Sequence, residues 1–284
     1  VELVPRGRRH SRARDARAVR HHYDVPGDFF ALFLGPSMTY SCALFSRDGA
    51  SLEAAQEAKH ELVCRKLGLE RGQRVLDVGC GWGSFAIHAA RAHGVHVVGI
   101  TLSAPQAELA RQRVHEAGLD DLVEIRLADY RDLGSETFDA VASIGMVEHV
   151  GDEQLDEYAA RLAAALRPGG RLLNHGIARL RPTDPEAGPF SERFVFPDAA
   201  PPHLSRLLLA LERARFEPEH VEGFRADYVE TLREWARRLD ARLDEATRLA
   251  GAQRVRVWRL FLRASRHGFE TGFTSIYQVR CRRA

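Results

Sequence analysis

The run Arg74-Val-Leu-Asp-Val-Gly-Cys-Gly-Trp-Gly-Ser84 constrains this chain more than any other stretch. Val75, Leu76 and Val78 suit a strand buried on both faces, and Gly79, Gly81 and Gly83 remove the Cβ atoms that would hold a ligand off the backbone. Phe85 to His93 has helical composition, so a strand turns through the glycines into a helix whose first amides face that turn. The spacing is G-x-G-x-G, and Ser84 stands where the dinucleotide fingerprint has its third glycine. The next apolar run, Val95 to Ile100, leads into Thr101, Ser103 and Gln106 with no carboxylate to grip a nicotinamide ribose. A ligand without a pyrophosphate needs neither feature. S-adenosylmethionine, a zwitterion with an adenosine end, fits better than NAD, and Asp77 is placed to position its charge. A tight glycine turn with no ligand is the plain alternative.

Strand-like and helix-like stretches alternate beyond the glycines. Strands are expected over 74–79, 95–100, 122–127 and 138–144, with helices over 84–93 and 104–117 between them. That alternation is the signature of a doubly wound parallel sheet. Upstream, Ser51 caps a helix reaching Leu67, and Asp28 is the expected cap of the apolar turn Phe29 to Phe33. Downstream, Asp152 is the expected cap of a helix ending near Leu166. Arg167-Pro-Gly-Gly170 then turns into a strand over 171–177. Residues 178–203 hold six prolines and read as a lid or connector without regular structure. Helices over 204–214, 229–249 and 253–267 and strands over 219–224 and 275–281 complete the chain.

Chemistry-bearing residues gather at the carboxyl ends of these strands, the edge where open α/β sheets bind ligands. Asp129 can accept a hydrogen bond from an adenine amino group and Tyr130 can flank the ring, unless that loop is plain surface. The strand ending at Ile144 runs into Gly145-Met-Val-Glu-His-Val-Gly151. There Glu148 reads as the holder of a polar or cationic ligand. His149 tunes it or is a packing histidine. His175 and Ile177 lie two apart and face the same side of their strand. Gly35 to Phe45 mixes small polar with apolar residues and reads as a binding segment over the glycine turn, in which Cys42 by pattern alone reads first as a small buried residue. The stripes through Leu232, Trp235 and Leu239 and through Val257 to Leu262 serve a core or an acyl tunnel.

Composition bounds these readings. With 284 residues, 45% of them apolar, the chain can bury one elaborated domain. Net charge is only +2, yet Arg6, Arg8, Arg9, Arg12, Arg14, Arg17 and Arg20 crowd the start with His10, His21 and His22. Such an arm suits an anionic membrane, a nucleic acid or plain solvent. Lysine occurs only at Lys59 and Lys66, which reads as coding bias more than function. Cys42, Cys64, Cys80 and Cys281 have neither C-x-x-C spacing nor clustered histidines, so no metal site and no disulfide is expected. With no apolar run approaching roughly 18 residues and no secretory signal, cytoplasmic residence with peripheral membrane contact is the expectation.

Taken together, HHYDVPGDFFALFLGPSMTYSCALF, VLDVGCGWGSFAIHAA, VVGITLSAPQ, GMVEHVG, RLLNH, FVFPD and ADYVETL resemble the cyclopropane-fatty-acid synthase family, which includes the mycolic acid cyclopropane synthases and related fatty-acid methyltransferases. The resemblance runs from about Arg9 to the C-terminus. It implies a class I methyltransferase, Rossmann-like, with a mostly parallel seven-stranded sheet, a helical N-terminal segment and lid insertions. It also implies residues 1–68 as a basic arm and helical cap, and 69–284 as the core with lipid-pocket insertions at about 178–218 and 229–268, all in one compact domain. Cofactor contacts would fall on Tyr40, Ser41, Gly79, Thr101, Gln106 and Tyr130; Asp77, Gly81, Gly83, Asp129 and Ile144 join them from the reading of the strand ends. A bicarbonate ion would be held around Cys42, Glu148, His175, the Ile177 backbone and Tyr228. The implied reaction is methyl transfer from S-adenosylmethionine to the double bond of an unsaturated acyl chain, in phospholipid, giving a cyclopropane or an exomethylene branch. An N- or O-methyltransferase acting on a small molecule is the alternative. Implied partners are that chain and an anionic membrane surface, with a homodimer left open and no nucleic acid. Phe196-Pro-Asp-Ala-Ala200, where the family often has glycine after the Asp, and Gly268-Phe-Glu270 depart from its pattern.

Overall fold

The structure is a computed structural model that describes residues 2, 7, 9–23, 26–45, 49–185 and 188–284, with backbone alone at 16 and 19–23. Arg6 and Arg8 of the basic arm lie outside the described residues, as do the side chains of Arg20, His21 and His22.

Apolar runs bounded by glycine become a central sheet. Strand β1 (Arg74–Val78) lies between β2 (His96–Thr101) and β4 (Phe138–Ile144); β3 (Val123–Leu127) flanks β2, and β5 (Leu166–Arg179) flanks β4, all parallel. Strand β7 (Thr274–Arg283) inserts antiparallel between β5 and β6 (Phe216–Gly223), giving the order β3-β2-β1-β4-β5-β7-β6. Parallel neighbours need crossovers, supplied by helices α4 (Ser84–His93), α5 (Ala104–Glu116) and α6 (Leu155–Ala165). The order reverses between β1 and β4, and a crevice opens beyond their carboxyl ends. This is the class I methyltransferase fold expected from the sequence.

Upstream of the sheet stand α1 (Arg12–Tyr23), α2 (Gly27–Leu34) and α3 (Leu52–Leu67). Ser51 caps α3 as expected, its hydroxyl accepting from the Ala54 amide at 3.2 Å. Asp28 does not cap α2: Pro26 occupies that position, and Asp28 lies in the first turn. Asp152 likewise leaves the cap of α6 to Gln154 and accepts instead from Arg179 Nη2 at 3.0 Å. A carboxylate within reach of a guanidinium forms the stronger, charge-assisted bond.

Three stretches differ from the sequence reading. Residues 167–170 are a bulge within the long strand β5, because Phe138 pairs with Leu166 while Ala140 pairs with Arg171. The proline-rich stretch contains a short helix, α7 (Pro189–Phe194), with Pro189 in its first turn, where a missing N–H leaves no bond unmade. After α8 (Leu204–Arg213), the expected helix 229–249 begins one turn earlier and is broken into α9 (Arg225–Asp240) and α10 (Leu243–Ala250), before α11 (Ala252–Thr271). The earlier start places Tyr228 in the first turn of α9.

The arm is tied down where it is described. Arg12 pairs with Asp132 at 2.7 Å, Arg14 donates twice to Asp198 at 2.6 Å, and Asp15 meets Arg131 at 3.0 Å. Of the arm's arginines, Arg12 and Arg14 are thus engaged within the fold, while Arg17 is exposed. Among the described residues, no helix is long and apolar enough to cross a membrane.

Both apolar stripes divide their duty. Leu239, Trp258 and Leu262 belong to a core with Phe29 and Phe33 of α2, whereas Leu232, Trp235 and Phe261 also line a cavity above the sheet.

Candidate active site

The glycine turn needs its glycines for conformation. Gly79 has φ +79° and Gly81 φ +55°, values L side chains rarely adopt, and Gly83 (φ +79°) starts α4. A Cβ on Gly79 would stand 3.0 Å from Met146 Cγ. Between this turn, β2 and the segment after β4 lies one crevice, lined by Gly79, Gly81, Thr101, Gln106, Tyr130 and His149. Thr101 Oγ1 donates to Gln106 Oε1 at 2.9 Å, which turns the Gln106 amide NH2 toward the crevice. Asp129 is placed differently from the sequence expectation: its carboxylate accepts from Arg131 Nε at 2.8 Å and Nη2 at 2.6 Å, and it does not line the crevice.

The crevice continues past Gly79 and Gly81 to a polar end lined by Tyr40, Ser41, Lys59, His60, Asp77 and Ile144. Burial pushes the Asp77 carboxyl up to about 7 against the opposing pull of Lys59, and pushes the Lys59 ammonium down to about 7. Asp77 Oδ2 has no hydrogen-bond partner. An unpaired buried carboxylate oxygen fits the cationic groups of a methionine zwitterion. Beneath Tyr40 and Ser41, Lys59 Nζ donates to Ser41 Oγ at 3.0 Å and Gln56 Nε2 donates to the Ser41 carbonyl at 2.9 Å. Sequence reasoning missed Lys59 and Gln56. The available signal was a lysine, one of only two in the chain, on the buried face of a helix.

On the other side of Tyr40, Ser41 and Gly145 lies a largely apolar cavity of about 310 Å³. Leu232, Trp235, Phe261, Phe269 and Ile276 supply walls, and Phe190 and Phe196 from the proline-rich stretch cover it. That cover is anchored. Arg179, buried at the end of β5, donates to the carbonyls of Asp184 at 2.9 Å and Pro201 at 2.8 Å. Glu148, His149, His175, Ile177 and Tyr228 all line the cavity.

Its polar end is unusual for so apolar a space. Burial raises the Glu148 carboxyl to about 7, although the Ile177 backbone N–H bonds to it, and Glu148 Oε2 has no partner. Burial pushes His175 down to about 3 and His149 to about 4, so both rings are neutral. His175 Nε2 is also without a partner. Room for the carboxyl comes from Gly176, where a Cβ would meet Val147 Cγ1 at 2.3 Å. The unpaired Glu148 and His175 atoms, with Tyr228 beside them, fit a small polar group such as bicarbonate. Cys42, expected at the ion, is buried but does not line the cavity; its thiol lies 3.2 Å from the Ala43 carbonyl.

Folding brings the ligand atoms of Cys64, His88 and His93 within 4.8 Å of one another, a grouping invisible in the sequence spacing. Glu61 already pairs with both imidazoles, at 3.0 Å to His93 and 3.5 Å to His88.

A glycine-lined crevice at the β1/β4 switch point, opening through Gly145 onto a greasy chamber, defines an S-adenosylmethionine-dependent methyltransferase of class I. The family model for mycolic acid cyclopropane synthetase matches residues 10–279, and the chain belongs to that family. It is 45% identical over 285 residues to the probable fatty acid methyltransferase Rv3720 of Mycobacterium tuberculosis, covering 98% of this chain and 66% of the relative. It is 38% identical over 260 residues to the cyclopropane-fatty-acyl-phospholipid synthase of Escherichia coli strain K12, covering 92% of this chain and 66% of that protein. The chain therefore spans about two thirds of the length of these relatives. The mycolic acid cyclopropane synthase CmaA1 complexed with SAH and CTAB superposes with TM-score 0.89 at 32% identity, covering 94% of this chain and 98% of that one.

Proposed function

We propose that the protein transfers a methyl group from S-adenosylmethionine to the double bond of an unsaturated fatty acyl chain carried by a phospholipid. The observation that carries this reading is the junction at Tyr40, Ser41 and Gly145, which line both the cofactor crevice and the apolar cavity. A sulfonium methyl seated there would face a chamber whose walls accept hydrocarbon. Support also comes from relatives named as fatty-acid and phospholipid-acyl enzymes, and from CTAB in the CmaA1 structure.

An alkene is a weak nucleophile, so the residues must hold it in line with the methyl group in a dry chamber. Such positioning supplies roughly 7–11 kcal/mol of the barrier. The new C–C bond takes the alkene electron pair, the C–S bond breaks toward sulfur, and positive charge remains on the second alkene carbon. Glu148 and the faces of Tyr228 and Phe269 stabilise that charge. Loss of a proton from the added methyl group then closes a cyclopropane, or, after a hydride shift, leaves an exomethylene branch. Bicarbonate, when bound between Glu148, His175 and Tyr228, would supply the base.

Purified protein incubated with dioleoyl phosphatidylglycerol vesicles and S-adenosylmethionine is expected to give fatty acids one methylene unit heavier, while distearoyl vesicles give none. Gas chromatography with mass spectrometry of the methyl esters reads both. An unchanged oleoyl profile, or methylation of a small amine or phenol instead, would reject the lipid reading.

A further inference from the structure

The only two lysines of this arginine-rich chain are both buried; one lines the site and the other is linked to it by hydrogen bonds. The first, Lys59, braces Ser41. The second lies outside the cavity, at the end of a hydrogen-bond chain that enters it. Lys66 sits in the last turn of α3 and donates from Nζ to Gln278 Oε1 at 2.7 Å; Gln278 Nε2 stands 3.0 Å from His175 Nδ1. Gln278 on β7 lies directly opposite His175 on β5 in the antiparallel register and is fully buried.

The chemistry of these three groups leaves one consistent arrangement. An ammonium only donates, so the end of the Gln278 amide facing Lys66 is its oxygen, and the end facing the ring is its NH2. The NH2 donates, so His175 Nδ1 accepts and carries the lone pair. A neutral imidazole with its lone pair on Nδ1 carries its hydrogen on Nε2. His175 lines the apolar cavity, and Nε2 is the nitrogen that no protein group engages.

The ammonium is itself held on two further sides. Glu222 Oε2 accepts from it, and its Nζ lies 5.1 Å from the centroid of the Phe224 ring, which in turn stacks on His175 at 6.1 Å and 23°. Burial leaves Lys66 little freedom to move its charge elsewhere.

We propose that Lys66, acting through Gln278, is a positioning residue that fixes the tautomer of His175, so that an Nε2–H donor is presented to the reaction cavity opposite the Glu148 carboxyl. The proposal rests on the reading of that cavity as the reaction chamber. It accounts for the cavity's polar end: the fixed Nε2–H donor and the Glu148 carboxyl in its protonated form together hold an oxyanion in a single orientation. The other tautomer would turn a lone pair toward the oxyanion and repel it. It also accounts for a lysine where the chain otherwise uses arginine, since a compact ammonium contacts a single amide oxygen without bringing a planar fork into the core.

The test reads the tautomer directly. Protein labelled with ¹⁵N at histidine, with His175→Asn used to assign the ring, is examined by long-range ¹H–¹⁵N correlation at neutral pH. The wild-type ring is expected to show a protonated Nε2 and an unprotonated Nδ1. Gln278→Glu replaces the donor by an acceptor and is expected to exchange the two nitrogen signals. Lys66→Met, which frees the amide to rotate, is expected to give a mixture. With oleoyl vesicles, kcat of Gln278→Glu should fall by about tenfold or more, because a wrong tautomer disables an imidazole whose geometry is intact. Binding of S-adenosylmethionine should stay within about twofold, since neither residue touches its crevice. Should Gln278→Glu fail to fold, Gln278→Leu leaves Nδ1 without a partner and is expected to give the mixture.

An Nδ1–H ring in the wild type, or an unchanged Nε2–H ring in both Lys66→Met and Gln278→Glu, overturns the proposal. The tautomer is read whether or not any lipid is methylated, so its failure is distinct from failure of the functional reading.

Discussion

Glu148→Gln is expected to lower methyl transfer by about 10²–10⁴-fold and, at the same time, to make the folded protein more stable at neutral pH. The loss follows from chemistry: an amide carries no charge to offset a carbocation and cannot share a proton with the group beside it. The gain follows from burial. The Glu148 carboxyl titrates near 7 in the folded protein, above its ordinary value of 4.5, because its ionised form is desolvated. An acid with a raised folded pKa binds its proton more tightly in the folded state. Its contribution to stability is therefore full below about 4.5 and declines as pH rises through 7. The amide is uncharged throughout, so the variant escapes that decline. A gain on the order of 1–3 kcal/mol is expected at pH 8 and little at pH 4. Thermal melts of both proteins across this range measure it. A variant less stable than the wild type at pH 8 would show that Glu148 is held by partners that favour its charge.

Gly79→Val is expected to weaken cofactor binding by at least about tenfold while leaving the sheet intact. A left-handed backbone costs a β-branched residue on the order of 1–2 kcal/mol, and more where the side chain meets a neighbour. Here a Cβ would already stand 3.0 Å from Met146 Cγ, at a residue that lines the crevice. Calorimetric titration with S-adenosylmethionine should show affinity weakened by at least about tenfold, with far-ultraviolet circular dichroism unchanged. Unimpaired binding would place the cofactor elsewhere than against the glycine turn.

What the sequence disclosed depended on how local the cause was. The strand-glycine-helix unit is written in consecutive residues: a short apolar run sets β1, positive φ demands the glycines, and α4 begins where Gly83 ends. The segment from Gly145 to His149 was legible for the same reason, since the carboxyl end of β4 fixes where its residues emerge. Contacts closed over long separations were not legible. Gln278 and Lys66 are 212 residues apart, and only the antiparallel insertion of β7 beside β5 brings Gln278 opposite His175. Of the two lysines, read as coding bias, Lys59 donates to Ser41 and Lys66 to Gln278. Asp129 illustrates the opposite error: a carboxylate at a strand end suited an adenine, but Arg131, two residues on, holds both its oxygens. Charge pairing within a turn competes with any ligand for the same group, and periodicity carries no sign of it. The break between α9 and α10 also escaped notice, because Ala241 and Arg242 are ordinary helix formers and carry no stop signal.

The most direct test of the account is the fate of the methyl hydrogens. Incubated with dioleoyl phosphatidylglycerol vesicles and S-adenosylmethionine carrying a trideuterated methyl group, the protein should deliver a carbon bearing two deuterium atoms, the third being lost as the carbocation is quenched. Mass spectrometry of the fatty-acid methyl esters would show it for either a cyclopropane or an exomethylene product. A product that retains all three deuterium atoms, on nitrogen, oxygen or carbon, would mean that no proton leaves the transferred methyl group, and the chemistry assigned to this cavity would be wrong.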